Sequence, residues 1–133
     1  MSARRHFLEP LLEGGVNKYC LVNVLTGSVV AQHLELAADA KARNRGLLGR
    51  SELAVGSAMI IAPCNAVHTF FMRFTIDVVF VDRRGKVLKL CPNLKPWRIG
   101  AVLGGFAAVE LAAGTISGAK IVRGGILNLR EIG

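Results

Sequence analysis

The chain has 133 residues, of which 17 are basic and 9 acidic, giving a formal net charge of +8. Hydrophobic residues make up 52% of the sequence, which excludes a disordered chain. The glycines follow no three-residue period, which excludes a collagen-like fibre. Length and composition therefore predict a basic, apolar-rich single domain over 17–133, preceded by a flexible N-terminal arm over 1–16.

The N-terminal sequence and the cysteines predict a cytoplasmic protein. Two arginines at 4–5 are followed by no apolar stretch of signal-peptide length, because charged residues and a proline interrupt residues 9–13. The cysteines are odd in number and form no CxxC pair; they are Cys20, Cys64 and Cys91. That pattern indicates reduced thiols rather than a disulfide framework.

In chain order, the first predicted elements are a hairpin and a helix. Residues 19–25 and 29–36 are rich in β-formers, and Thr-Gly-Ser at 26–28 separates them as a turn. A short helix is predicted over about 39–48, with Asp39 as its N-cap and Gly49 just past its end.

The remaining elements are predicted to be short strands joined by turns. The predicted strands are 57–62, 67–74, 76–82, 86–91, 107–112 and 125–129, with a proline-containing loop over 92–100. Between residues 98 and 120 the only charged residue is Glu110, but glycines break this stretch into buried strands, so no membrane span is predicted. Regularly spaced short strands predict a mainly β domain, a β-sandwich or jelly-roll-like barrel with one short helix.

Cys64 and His68 are the candidates for covalent catalysis. An imidazole close to a thiol can take its proton and create a nucleophile, as a hydrolase or transferase needs. A buried cysteine acting as a small hydrophobe is the competing interpretation. Cys64, His68 and Cys91 lack a fourth ligand with recognisable spacing, so the sequence predicts no metal site and no cofactor.

Three carboxylates are candidates for acid–base or binding roles. Asp77 and Asp82 lie five residues apart in one predicted strand, which places them on opposite faces. Asp82 precedes a turn, and Asp77 is expected to bond backbone amides. Glu110 lies between valine and leucine and is expected either on an exposed face or in an ion pair with Arg98 or Arg45.

The basic surface and the loop at 96–98 indicate binding. Trp97 and Arg98 are residue types that often dominate interfaces, although a tryptophan folded over the sheet is the alternative. Basic residues cluster at 4–5, 41–50 and 83–89. Such a surface can bind phosphate backbones, but the scarcity of interleaved aromatic residues and of known motifs makes nucleic acid a weak prediction.

Five segments in a fixed order resemble the DUF192 family. They are RNRGLLGR at 43–50, HTFFMRF at 68–74, IDVVFVDRRGKV at 76–87, LKPWR at 94–98 and VELAAG at 109–114. The resemblance covers about 20–129. It implies a small β-sandwich with one short helix, and it brings no established reaction, substrate or cofactor.

These observations favour a non-catalytic cytoplasmic binding or assembly module with a small cleft, whose partner is a protein or a small molecule. The expected cleft residues are His68, Phe71, Met72, Trp97 and Arg98, with Asp77, Glu110 and Arg45 near the rim. A Cys64/His68 hydrolase or transferase and a basic nucleic-acid accessory protein are the alternatives.

Overall fold

The computed structural model describes residues 5–132 and is mainly β, as predicted. The helices are α1 (Glu9–Gly14), α2 (Ala40–Arg45) and α3 (Thr115–Gly118), and a 3-10 turn spans Val16–Lys18. The strands are β1 (Tyr19–Asn23), β2 (Val29–Ala31), β3 (His33–Ala37), β4 (Ser57–Ile61), β5 (Ala66–His68), β6 (Ile76–Val81), β7 (Val87–Leu94), β8 (Ile99–Ala101), β9 (Ala107–Ala112) and β10 (Leu127–Glu131). The expectation of one short helix is therefore incomplete.

The strands form three sheets within residues 5–132. A five-stranded sheet has the order β3-β4-β9-β6-β7, a three-stranded sheet the order β10-β1-β2, and a two-stranded ribbon pairs β5 with β8. Only the β3–β4 pairing is parallel in this part of the chain. The β-sandwich is confirmed, whereas the barrel is not, because no described sheet closes on itself.

The five-stranded sheet is covered on both faces, and its central strands β6 and β9 are buried at every position. Strands covered on both faces are expected to be continuously apolar, as these are apart from two carboxylates. One face packs on the three-stranded sheet and α1 through Ile60, Val79 and Val109. The opposite face packs on the segment after α2 and on the ribbon, through Leu47 and Val67. The domain thus has two cores, one on each side of a central sheet.

Helix α2 begins as predicted and ends earlier. The Asp39 side chain accepts a hydrogen bond of 2.8 Å from the Ala42 amide, which confirms the N-cap. The helix ends at Arg45 rather than near residue 48, because Gly46 takes a positive φ of 45° and turns the chain. Gly46, and not Gly49, is the residue that closes the helix.

The described part of the N-terminal arm contains helix α1 and packs against the sheet. Phe7, Leu8 and Leu11 are buried in the larger core, and Pro10 lies in the first turn of α1. The Phe7 amide donates a 2.8 Å hydrogen bond to the Arg83 carbonyl. Apolar residues at helical spacing hold this segment against the sheet. Residues 1–4 of the predicted arm lie outside the described residues.

The connections on either side of β6 also differ from the sequence prediction. The predicted strand over 67–74 is extended only as far as His68, and Phe71 has a φ of 64° that turns the chain. The predicted loop over 92–100 is partly extended, because β7 continues to Leu94 and β8 begins at Ile99. Among residues 5–132 no helix has the length and apolar character needed to cross a membrane.

Candidate functional site

A cleft of about 340 Å3 opens between α2, the chain that follows β4, and the start of the ribbon. Its walls combine a basic helix end with an apolar sheet face. The lining residues are Ala40, Arg43, Asn44, Arg45, Gly46, Leu47, Leu48, Ile61, Pro63, Cys64, Asn65, Ala66, Val67, His68, Met72 and Glu110. Four of the residues expected in a binding cleft meet here, together with both catalytic candidates, one of which, His68, belongs to both sets.

Glu110 supplies the carboxylate of this cleft. It lies on β9 opposite Met59 of β4 and Val78 of β6, so its side chain shares a sheet face with two apolar neighbours. The residue is 3% exposed, and its Oε1 has no hydrogen-bond partner among residues 5–132. Burial raises the pKa of Glu110 to about 7, and the positive charge of Arg50 opposes this rise. A buried, unpartnered acceptor therefore lines an open cleft.

The expected ion pair of Glu110 with Arg98 or Arg45 is not formed. Within residues 5–132 the salt bridge joins Arg50 to Glu35, with two nitrogen–oxygen distances of 2.6 and 2.8 Å. The sequence did not distinguish a carboxylate with a surface partner from one buried in a cleft wall. The expectation that Glu110 is exposed or ion-paired is therefore wrong.

Arg43 and Gly46 shape the helix side of the cleft. Arg43 Nη1 donates to the Pro63 carbonyl at 3.2 Å, while its Nε is buried with no hydrogen-bond partner in the described part of the chain. A Cβ at Gly46 would lie 3.7 Å from Glu110 Oε1. The backbone therefore passes close to the carboxylate, and the glycine places no side chain over it. Neither residue was among the predicted site residues. The usable signal was a glycine immediately after a basic helix.

Cys64 and His68 both line the cleft but do not form a catalytic pair. The Cys64 thiol donates to the Ala66 carbonyl at 3.1 Å, and burial raises its pKa. His68 Nδ1 accepts a 3.3 Å hydrogen bond from the Phe70 amide. No hydrogen bond joins the thiol to the imidazole in the described chain. These contacts stabilise the thiol form, whereas a cysteine nucleophile needs the thiolate.

Trp97, Phe71 and Arg98 lie outside the cleft. Trp97 packs on Phe71 with ring centroids 4.6 Å apart, and on Phe70 with centroids 5.9 Å apart. The Arg98 guanidinium lies over its own loop, 3.4 Å from the Pro96 carbonyl oxygen. The structure therefore divides the predicted site into a cleft and a separate exposed aromatic group.

Asp77 lies on the opposite face of the central sheet from Glu110. It pairs with Leu111 in the β6–β9 register, whereas Glu110 pairs with Val78. Its carboxylate accepts hydrogen bonds from the amides of Asn93, Gly114 and Ile116 at 2.9, 3.1 and 2.9 Å. Bonding to backbone amides is confirmed, but the expected position at the cleft rim is wrong.

The match to a family model decides the family. The model of DUF192, an uncharacterized ACR, matches residues 22–129. The chain belongs to the DUF192 family. This DUF192 domain has no match among the curated proteins. Within residues 5–132 it has no group of three or more His, Cys, Asp or Glu side chains that could hold a metal ion.

Two solved structures share the fold of this DUF192 domain. One is a proposed transcription regulator from Sinorhizobium meliloti 1021, and the other a protein of unknown function from Novosphingobium aromaticivorans DSM 12444. Each has a TM-score of 0.71 and 21% sequence identity over 84% of this chain. The matched regions cover 92% and 83% of the two relatives. These similarities show a shared fold and carry no activity with them.

Proposed function

We propose that this DUF192 domain is a non-catalytic binding module of the cytoplasm whose cleft takes a small ligand with a cationic head. The single observation that carries the proposal is the buried Glu110 carboxylate, which lines the cleft with Oε1 unpartnered. Leaving a buried acceptor unpaired costs about 1–3 kcal/mol, and more when it is charged. A ligand that donates to this oxygen recovers that free energy.

The charge distribution of the cleft supports a ligand with two unlike ends. Glu110 lies in the sheet wall, whereas Arg43 and Arg45 belong to α2, and Asn44 and Asn65 are exposed. An ammonium or guanidinium group fits the carboxylate, because charge-assisted hydrogen bonds to carboxylates are short and strong. A carboxylate or another anionic group fits the arginines. A zwitterionic molecule of amino-acid size satisfies both.

Binding of L-arginine and agmatine tests the proposal. Both carry a guanidinium group, but agmatine lacks the carboxylate. Isothermal titration is expected to show binding of both, with the Arg45→Gln variant weakening L-arginine more than agmatine. Only ionised Glu110 pairs with the guanidinium, and the ionised fraction rises from about one tenth at pH 6 to about nine tenths at pH 8. Affinity should therefore rise about tenfold across that range.

The Glu110→Gln variant is the decisive comparison. It removes the charge while keeping the side-chain size, and it should abolish both the binding and its pH dependence. The matched control is Glu35→Gln, because Glu35 is an exposed carboxylate outside the cleft. The cationic-head proposal would be refuted if the wild type bound neither L-arginine nor agmatine. It would also be refuted if Glu110→Gln bound them as tightly as the wild type.

The alternative function, a hydrolase or transferase that uses Cys64 and His68, is less well supported by the contacts of these two residues than the binding function is. A thiol whose pKa is raised by burial, and which donates to the Ala66 carbonyl, is held in the form that does not attack carbonyl carbon. The histidine meanwhile accepts from its own loop. These contacts favour the non-catalytic proposal.

A further inference from the structure

A group of four rings and one aliphatic side chain, exposed except for the half-buried Phe70, lies beside the cleft on the outer face of the β5–β8 ribbon. We call it the aromatic ledge, and it consists of His68, Phe70, Phe71, Trp97 and Ile99. The rings form a continuous row of contacts. His68 packs on Phe70 with centroids 4.9 Å apart, Phe70 packs on Trp97, and Trp97 packs on Phe71. Phe71, Trp97 and Ile99 are 72%, 55% and 65% exposed. Large apolar side chains this exposed, and this close together, mark an interaction surface.

The ledge is held in place by Thr69, which is fully buried. Its hydroxyl donates to the Lys95 carbonyl at 2.6 Å and accepts from the Arg98 amide at 2.9 Å. Its backbone carbonyl accepts from the Trp97 amide at 2.9 Å. Phe71 and Trp97 themselves have positive φ values of 64° and 65°, which bulky residues rarely adopt. The fold thus retains a strained backbone at two positions where aromatic side chains are exposed.

The exposed charged residues on the two loops of the ledge are basic. Arg73, Lys95 and Arg98 are exposed on its two loops, and the Lys89 ammonium donates to the Ala101 carbonyl of the ribbon at 2.8 Å. The three carboxylates between residues 53 and 110 are elsewhere: Asp77 and Glu110 are buried, and Asp82 lies in the β6–β7 turn. An anionic partner therefore complements this surface.

We infer that the aromatic ledge docks the domain on an anionic lipid bilayer, with Trp97 and Phe71 entering the interface. Tryptophan is enriched at the membrane–water boundary, and each nearby Lys or Arg adds attraction to anionic lipids. Single-stranded nucleic acid fits less well, because base stacking needs free ring faces and these rings pack on one another. The exposed aliphatic side chain of Ile99 favours lipid as well.

Intrinsic fluorescence tests this inference directly, because Trp97 is the single tryptophan of the chain. Vesicles of equal parts phosphatidylglycerol and phosphatidylcholine are expected to shift its emission to the blue and to sediment the protein. Vesicles of phosphatidylcholine alone should do neither. An absence of binding to the anionic vesicles would overturn the inference. So would a shift caused by a single-stranded oligo-dT and not by vesicles, which would assign the ledge to nucleic acid.

Variants then locate the binding surface. Lys95→Glu should lower the vesicle partition coefficient at least fivefold, or about 1 kcal/mol. Phe71→Ser should lower it more than tenfold. The controls are Arg84→Glu and Val122→Ser, which lie at the opposite end of the β6–β7 hairpin and should match the wild type. Equal losses in the Lys95 and Arg84 variants would overturn the assignment to the ledge, because they would indicate attraction by net charge alone.

Discussion

Replacement of Glu110 by glutamine is expected to remove a pH dependence of folding stability. The pKa of Glu110 is about 7 in the folded protein, against an ordinary value of 4.5. The folded state therefore binds this proton more tightly than the unfolded state does. The resulting stabilisation is fully present below pH 4.5 and is lost as the pH rises through 7. At about 1.4 kcal/mol for each pKa unit, the loss amounts to about 3 kcal/mol.

Urea unfolding at pH 5, 6, 7 and 8 measures this loss. The free energy of unfolding of the wild type should fall across the series relative to that of Glu110→Gln. Glu35→Gln is the matched control, because hydrogen bonds from Arg50 hold the pKa of Glu35 below its ordinary value. The stabilisation by Glu35 is present above that ordinary value and lost in acid, so its removal should leave the slope between pH 5 and 8 unchanged. Parallel profiles for wild type and Glu110→Gln would refute the argument.

Four further substitutions or measurements follow from other contacts. Gly85→Ala should destabilise the domain by more than about 3 kcal/mol in thermal unfolding, because Gly85 has a φ of 82° and a Cβ would overlap the Leu127 carbonyl. Asp77→Asn should cost about 2–4 kcal/mol in urea, because an amide nitrogen would face backbone donors. Cys64 should react with iodoacetamide at pH 7 more slowly than glutathione does, and faster reaction would indicate an activated thiol. Trp97→Ala should leave the circular dichroism spectrum unchanged, since the side chain is exposed; unfolding of this variant would place Trp97 in the core.

Local sequence patterns were sufficient to predict where most strands lie, but not which strands pair with each other. The apolar run of β6 and the turn after it predict the β6–β7 hairpin, which the structure contains. The sequence predicted one strand over 29–36, but the structure divides it into β2 and β3. These two strands belong to different sheets, because β3 pairs in parallel with β4. Such a pairing joins residues more than twenty positions apart, and no local periodicity specifies it. Helix α1 was not predicted, although Leu8 and Leu11 already have helical spacing.

The site could be predicted in its residue types but not in its grouping. Asp77 and Glu110 look alike in sequence, as carboxylates within apolar runs. Register places them on opposite faces of one sheet, and the register depends on pairing between strands distant in sequence. Phe71 and Trp97 were both expected in the cleft, Trp97 because tryptophan next to arginine on a proline-bounded loop is typical of binding surfaces. Both residues have positive φ values, which turn the chain so that their side chains lie outside the cleft. Aromatic residues rarely adopt this conformation, so the sequence does not predict it.

The cleft and the aromatic ledge are two sides of one covering layer. The β5–β8 ribbon buries Val67 and Gly100 against the central sheet and exposes His68 and Ile99 on its outer face. Because the ribbon and α2 together leave part of that sheet face uncovered, Glu110 lies in a cleft between them. The carboxylate depends on burial for its chemistry, whereas the ledge depends on exposure. The ligand-binding proposal therefore depends on the buried carboxylate, and the membrane proposal depends on the exposed side chains. An experiment that refutes one of them does not refute the other.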